Sequence, residues 1–119
     1  MVVHSYKDLI VWQKAIELVK KIYSITKNFP DEEKFGLASQ VRRSAVSIPS
    51  NISEGRSRGS KKDFIRFLYI AKGSLSELET QILISLELRF IKKEDTQNIE
   101  SLITEVNKML SSMISKLKA

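Results

Sequence analysis

The residues best suited to chemistry lie between positions 42 and 66: Arg42, Arg43, Arg56, Arg58, Lys61, Lys62 and Arg66, against only Glu54 and Asp63. That window nets +5 of a formal charge of +6 carried by 119 residues. It holds all but one of the six arginines. A guanidinium grips two phosphate oxygens at once, which an ammonium does not reproduce. The Gly/Ser/Arg run Gly55 to Gly59, ahead of a helix start, adds backbone donors for an anion. The chemistry expected is sequence-independent phosphate contact that weakens as salt rises. The cluster lacks the aromatic interleaving of single-strand stacking platforms, so shape should drive any binding. The competing reading is a protein-interaction scaffold with no nucleic-acid role. There the arginines would pair with acids such as Glu32, Glu33, Glu77 and Glu79 across helix or subunit contacts.

Other chemistry finds little support. There are no cysteines, which excludes disulfides, thiolate metal sites and a cysteine nucleophile. His4 is the only histidine, and no Glu-x-x-His pair exists to build a bundle metal site. Glu77, Glu79 and Glu87 read as a solvated or interface face. The run Gly55-Arg-Ser-Arg-Gly-Ser-Lys-Lys62 fails as a phosphate loop. Ser60 stands at the second glycine, Lys62 stands at the Ser/Thr, and a helix rather than a strand comes before it. Asn51-Ile52-Ser53 matches a glycosylation sequon only formally. Ser44, Ser47, Ser50 and Ser53 recur every three residues, a spacing that lets helices approach or satisfies carbonyls freed by a proline. The expectation is a non-enzymatic protein with no cofactor and no metal.

The elements that position these residues follow from hydrophobic spacing. Apolar residues make up 42% and charged residues 29%, as in a folded globular chain. Leu9, Trp12, Ile16, Val19, Tyr23 and Thr26 form a heptad-like stripe, with Ser5 and Asp8 as a capping box. Leu37, Val41, Ala45, Ile48 and Ile52 form a second stripe, interrupted by Pro49. Phe64, Leu68, Ala71, Leu75, Leu78 and Ile82 form a third, opened by Ser60 and Asp63. Ile99, Ile103, Val106, Leu110, Met113 and Leu117 form a fourth. No segment alternates with period two, so no strand is expected. The spacing predicts an all-α, antiparallel up-down-up-down four-helix bundle, one domain over 1–119, with helices near 7–28, 31–56, 60–89 and 93–117. A proline inside a helix costs about 3 kcal/mol, so helix two is expected to kink at Pro49 rather than break. Apolar residues off the stripes (Ile10, Val11, Ile25, Phe35, Ile65, Tyr69, Ile84 and Leu88) suggest an interface for self-association. No apolar run reaches the roughly 20 residues of a membrane span, and Met1 to Ile10 has no secretory pattern. A cytoplasmic protein is expected.

Three runs resemble one family: Tyr6-Lys-Asp-Leu-Ile-Val-Trp-Gln-Lys-Ala15, then Phe35-Gly-Leu with Gln40-Val-Arg-Arg-Ser-Ala-Val-Ser-Ile-Pro-Ser-Asn-Ile-Ser-Glu-Gly55, and Ala71-Lys-Gly-Ser-Leu-Ser-Glu-Leu-Glu-Thr80. They are similar to the four-helix-bundle proteins encoded by intervening sequences within bacterial 23S rRNA genes. The resemblance implies a ring-shaped homopentamer. It extends to a related branch, the accessory variability proteins of diversity-generating retroelements, which bind nucleic acid and a reverse transcriptase through a positive surface. Pro49, Asn51, Glu54 and Gly55 fall in the family's most distinctive block. They read as structural: the kink, polar satisfaction beside it, and the end of helix two. Gly73 reads as a close-packing position on helix three.

Overall fold

The computed structural model describes residues 5–119, so His4 lies outside the described residues. Four α-helices carry the chain: α1 Ile10–Thr26, α2 Leu37–Ser57, α3 Lys61–Glu87 and α4 Gln97–Lys118. Short 3-10 turns at Tyr6–Asp8, Asp31–Glu33 and Lys93–Thr96 precede α1, α2 and α4. No strand occurs among the described residues. Packing runs α1–α2, α2–α3, α3–α4 and α4–α1, as in a four-helix bundle, with α2–α3 the most extensive pair. The long dimension, 44 Å, is set by α3, whose 27 residues span about 40 Å at 1.5 Å each.

Local chemistry places the helix ends. Ser5 accepts from the Lys7 N–H and caps only a 3-10 turn; Leu9 then leaves helical geometry at ψ 127°, so α1 begins at Ile10. The acids ahead of α2 form a turn of their own, and Glu33 Oε1 reaches forward to accept from the Leu37 N–H at 3.1 Å. Ser60 accepts from the Asp63 N–H at 3.1 Å and opens α3 as its spacing predicts. At the far end of α3, Arg89 takes φ 62°, with Arg89 N–H on the Leu86 carbonyl and Phe90 N–H on the Ser85 carbonyl. This is the Schellman closure, with an arginine where glycine is usual. It carries Phe90 onto Phe29, ring centroids 5.6 Å apart.

Three helices bury the stripes their sequences present. Val41, Ala45, Ile48 and Ile52 meet Leu68, Ala71, Leu75, Leu78 and Ile82, with Ile99, Ile103, Val106 and Leu110 closing the core. The first helix differs. Its buried seam is Val11, Ala15, Leu18, Ile22 and Ile25, while Leu9, Trp12 and Val19 are only partly buried and Tyr23 is exposed. Apolar residues sit at adjacent positions all along α1, so two stripes with the same steps lie one residue, about 100°, apart. The seam with Ala15 at its waist fits the centre. Trp12 and Tyr23 stay at the margin, where their polar ends remain wet. Val11 and Ile25 are therefore core, not spare surface.

Helix α2 runs unbroken through Pro49, whose ring is buried. The Asn51 amide donates to the Ser47 carbonyl at 2.8 Å and its hydroxyl at 2.9 Å, adding polar contacts one turn around the proline. Ser47 and Ser74 share a hydrogen bond at 2.8 Å, and Ser44 donates to Glu77 at 2.9 Å, so part of the serine series ties α2 to α3. Gly73 departs from expectation. Nothing lies within 4 Å of where its Cβ would stand, so no neighbour in the chain needs the room. Nothing in the structure explains its cost of about 1 kcal/mol in a helix.

Candidate nucleic-acid interface

The corner between α2 and α3 is built on one aromatic ring. Phe67, nearly two turns into α3, is 8% exposed. The Arg58 guanidinium lies 4.9 Å from its ring centroid and the Arg66 guanidinium 4.5 Å. The ring can lie there because Gly55 opposes it: a Cβ on Gly55 would stand 2.5 Å from Phe67 Cβ. Gly55 therefore does not end α2, which continues to Ser57. The turn is made by Gly59, at φ 85°. Stacking on the ring draws two cations of the same sign to one place, each contact being worth about 0.5–1 kcal/mol at exposed sites.

Each of these arginines also holds a local carboxylate. Arg58 pairs with Glu54 at 3.0 Å and Arg66 with Asp63 at 3.5 Å. Both guanidine side chains stay open, at 45% and 55% exposure. Exposed i,i+3 and i,i+4 pairs contribute only about 0.3–0.5 kcal/mol and are screened by salt. An incoming phosphate can replace them. Lys61 and Lys62 are exposed beside them and form no ion pair among the described residues. Arg56 is half-buried in the last turn of α2.

The seven candidate cations do not form one patch. Arg42 and Arg58 are sixteen residues apart on or beside α2, about 24 Å along its axis. Arg42 is already engaged: Nε donates to Thr26 Oγ1 at 2.7 Å, an Nη donates to the Tyr23 carbonyl at 3.3 Å, and the guanidinium lies 4.5 Å from the Tyr23 ring centroid. It joins α2 to the last turn of α1, where a cation also suits the helix dipole. Arg43 is exposed at that distant end. A window compact in sequence is drawn out by the helix that contains it.

Within the chain, two of the acids suggested to neutralise the cluster are engaged elsewhere. Glu33 caps α2 and Glu77 receives the Ser44 hydroxyl. Among the described residues, neither they nor Glu32 or Glu79 ion-pairs with Arg42, Arg43, Arg58 or Arg66. Spacing alone does not single out Phe67, because it lies one residue off the third stripe. The signal was Arg58 and Arg66 flanking a turn with an aromatic directly after the second. Among the described residues no group of three or more His, Cys, Asp or Glu is placed to hold a metal, and no helix is long and apolar enough to cross a membrane.

The molecule is an all-helical four-helix bundle with no metal-ligand cluster among the described residues. The chain belongs to the 23S rRNA-intervening sequence protein family, whose model matches residues 7–112. It is similar in structure to a protein of unknown function from the S23 ribosomal protein family of Bacteroides thetaiotaomicron VPI-5482. The two are 31% identical, the match covers 88% of this chain and 98% of that one, and the TM-score is 0.81. No curated protein matches the chain.

Proposed function

We propose that this chain is a non-enzymatic binding protein that holds nucleic acid without sequence preference, chiefly through Arg56, Arg58, Lys61, Lys62 and Arg66. The observation that carries the reading is the pair of guanidinium groups stacked about Phe67 beside two exposed lysines that form no ion pair among the described residues. With it go the antiparallel up-down-up-down order, a bend of α2 at Pro49, a single domain over 1–119 and a cytoplasmic location. Assembly into a ring-shaped homopentamer goes with it too, supported by the family resemblance and by the exposed Leu83 and Ile84 on α3 with Leu88 just past its end. Five copies of a weak site raise avidity without new contacts. The likeness to the accessory variability branch supports a reverse transcriptase as a protein partner.

The test is fluorescence anisotropy with a labelled 20-base-pair duplex, starting near 50 mM salt. Log affinity should fall against log salt with a slope of about −0.9 for each phosphate contact. Changing Arg58, Lys61, Lys62 and Arg66 together to Gln should abolish most of that binding. No binding at low salt, or binding unaffected by the four changes, overturns the reading. Light scattering at micromolar protein should give about five times the 13.6 kDa chain mass. A monomer mass defeats the ring.

A second reading is a protein-interaction scaffold without nucleic acid. Phe35, 91% exposed, and the apolar residues on α3 favour it. It predicts unchanged self-association in the quadruple variant and no affinity for the duplex.

A further inference from the structure

One turn beyond Arg66 on α3 stands Tyr69, 49% exposed. Lys62, Arg66 and Tyr69 follow one another at i, i+4 and i+7, and so share a face of the helix. Tyr69 forms a wall of a groove of about 380 Å³ between α3 and α4, lined further by Lys72, Ser111, Ile114, Ser115 and Lys118. No acid lines it. Lys72 Nζ donates to the Ser111 hydroxyl at 2.6 Å, and Lys118 Nζ donates to the Tyr69 hydroxyl at 3.2 Å. Neither lysine has a carboxylate partner among the described residues. The groove thus offers an aromatic ring, two ammonium groups and two hydroxyls at one place.

We propose that this groove receives an unpaired nucleotide, its base stacked on Tyr69 and its phosphate held by Lys72 and Lys118. The proposal rests on the nucleic-acid reading of the α2–α3 corner and deepens it. The cationic face would run from Lys62 to Lys72, about 15 Å along α3. Backbone phosphates follow that face and a base turns into the groove. Bases in a duplex are already stacked on one another, so only a single strand can use the ring. The groove's aromatic ring lies outside the basic window, and its second lysine comes from the other end of the chain.

The experiment compares labelled oligo-dT of 20 nucleotides with a 20-base-pair duplex at equal salt. The variants are Tyr69→Ala, Tyr69→Phe, Lys72→Gln with Lys118→Gln, and the quadruple corner variant. Helix content by circular dichroism confirms that each is folded. Tyr69→Ala should weaken oligo-dT about tenfold and leave the duplex within about twofold, since a base–aromatic stack is lost. Tyr69→Phe should bind as the parent does, which separates the ring from the Lys118 hydrogen bond. The double lysine variant should lower the oligo-dT salt slope by about 0.7, the share of the one phosphate the two lysines hold. Equal loss on both nucleic acids, or no loss on oligo-dT in Tyr69→Ala, overturns the groove even where the corner variant abolishes binding. Retained duplex binding in the corner variant, with oligo-dT still sensitive to Tyr69, overturns the corner reading instead and keeps the groove.

Discussion

Gly55 and Phe67 touch across the α2–α3 corner so closely that a Cβ on the glycine would stand 2.5 Å from the phenylalanine Cβ. Phe67 Cγ and Phe64 Cδ1 would each lie 3.3 Å away. Phe67 Cβ is fixed to the α3 backbone and cannot swing aside. Gly55→Ala should therefore push α3 off α2 and destabilise the chain by about 1–3 kcal/mol, as overpacking does. The gain in helix propensity, about 1 kcal/mol, offsets only part of this. Urea denaturation measures it, and a variant as stable as the parent would show that the corner yields.

Arg42 is predicted to matter for stability and not for nucleic acid. Arg42→Ala removes its bonds to Thr26 and the Tyr23 carbonyl and its stack on Tyr23. The Thr26 hydroxyl still donates to the Ile22 carbonyl at 2.7 Å, so no donor is orphaned. The loss should be about 1–2 kcal/mol. Duplex affinity at a temperature where the variant is folded should match the parent. A loss of affinity comparable to that of Lys62→Ala would return Arg42 to the binding surface.

Arg89 holds φ 62° at the end of α3, a left-handed conformation that costs a side chain about 1–2 kcal/mol. Arg89→Gly removes that strain and adds freedom to the unfolded chain. The net expectation is a stabilisation of about 0.5 kcal/mol, small but readable as a higher urea midpoint. A lower midpoint would mean that the Arg89 side chain contributes more than its backbone costs.

Lys14 Nζ lies 3.1 Å from Glu105 Oε1 and ties α1 to α4. Its pKa is raised, first by the hydrogen bond to Glu105 and then by that carboxylate's charge. A lysine raised on folding contributes stability fully below its unfolded pKa, about 10.4, and loses it as pH climbs through the folded value. Lys14→Gln should thus be less stable than the parent at pH 7, with the gap closing as pH rises through the raised value of the lysine. A gap independent of pH would assign the effect to packing of the lysine stem.

The four helices were legible in the sequence because a 3.6-residue period survives any reasonable packing. The seams of α2, α3 and α4 each have one dominant apolar stripe, so most of their buried residues were legible too, although Phe67, Leu102 and Ile114 are buried off those stripes. Ser60 and Asp63 marked the start of α3 because a cap is a local contact within four residues. Two things were not local. The first helix carries two equivalent stripes, and only the shapes of its neighbouring helices, α2 and α4, choose between them. The basic window looked like one site because sequence distance ignores the rise of a helix. The fold moved Arg42 and Arg43 to the far end of α2 and set Arg42 to work on α1. It also brought Lys72 and Lys118 into one groove with Tyr69 across 46 residues of chain. Periodicity records which way a side chain points from its own helix. Only tertiary packing decides which other side chains it meets, and the candidate site is made of such meetings.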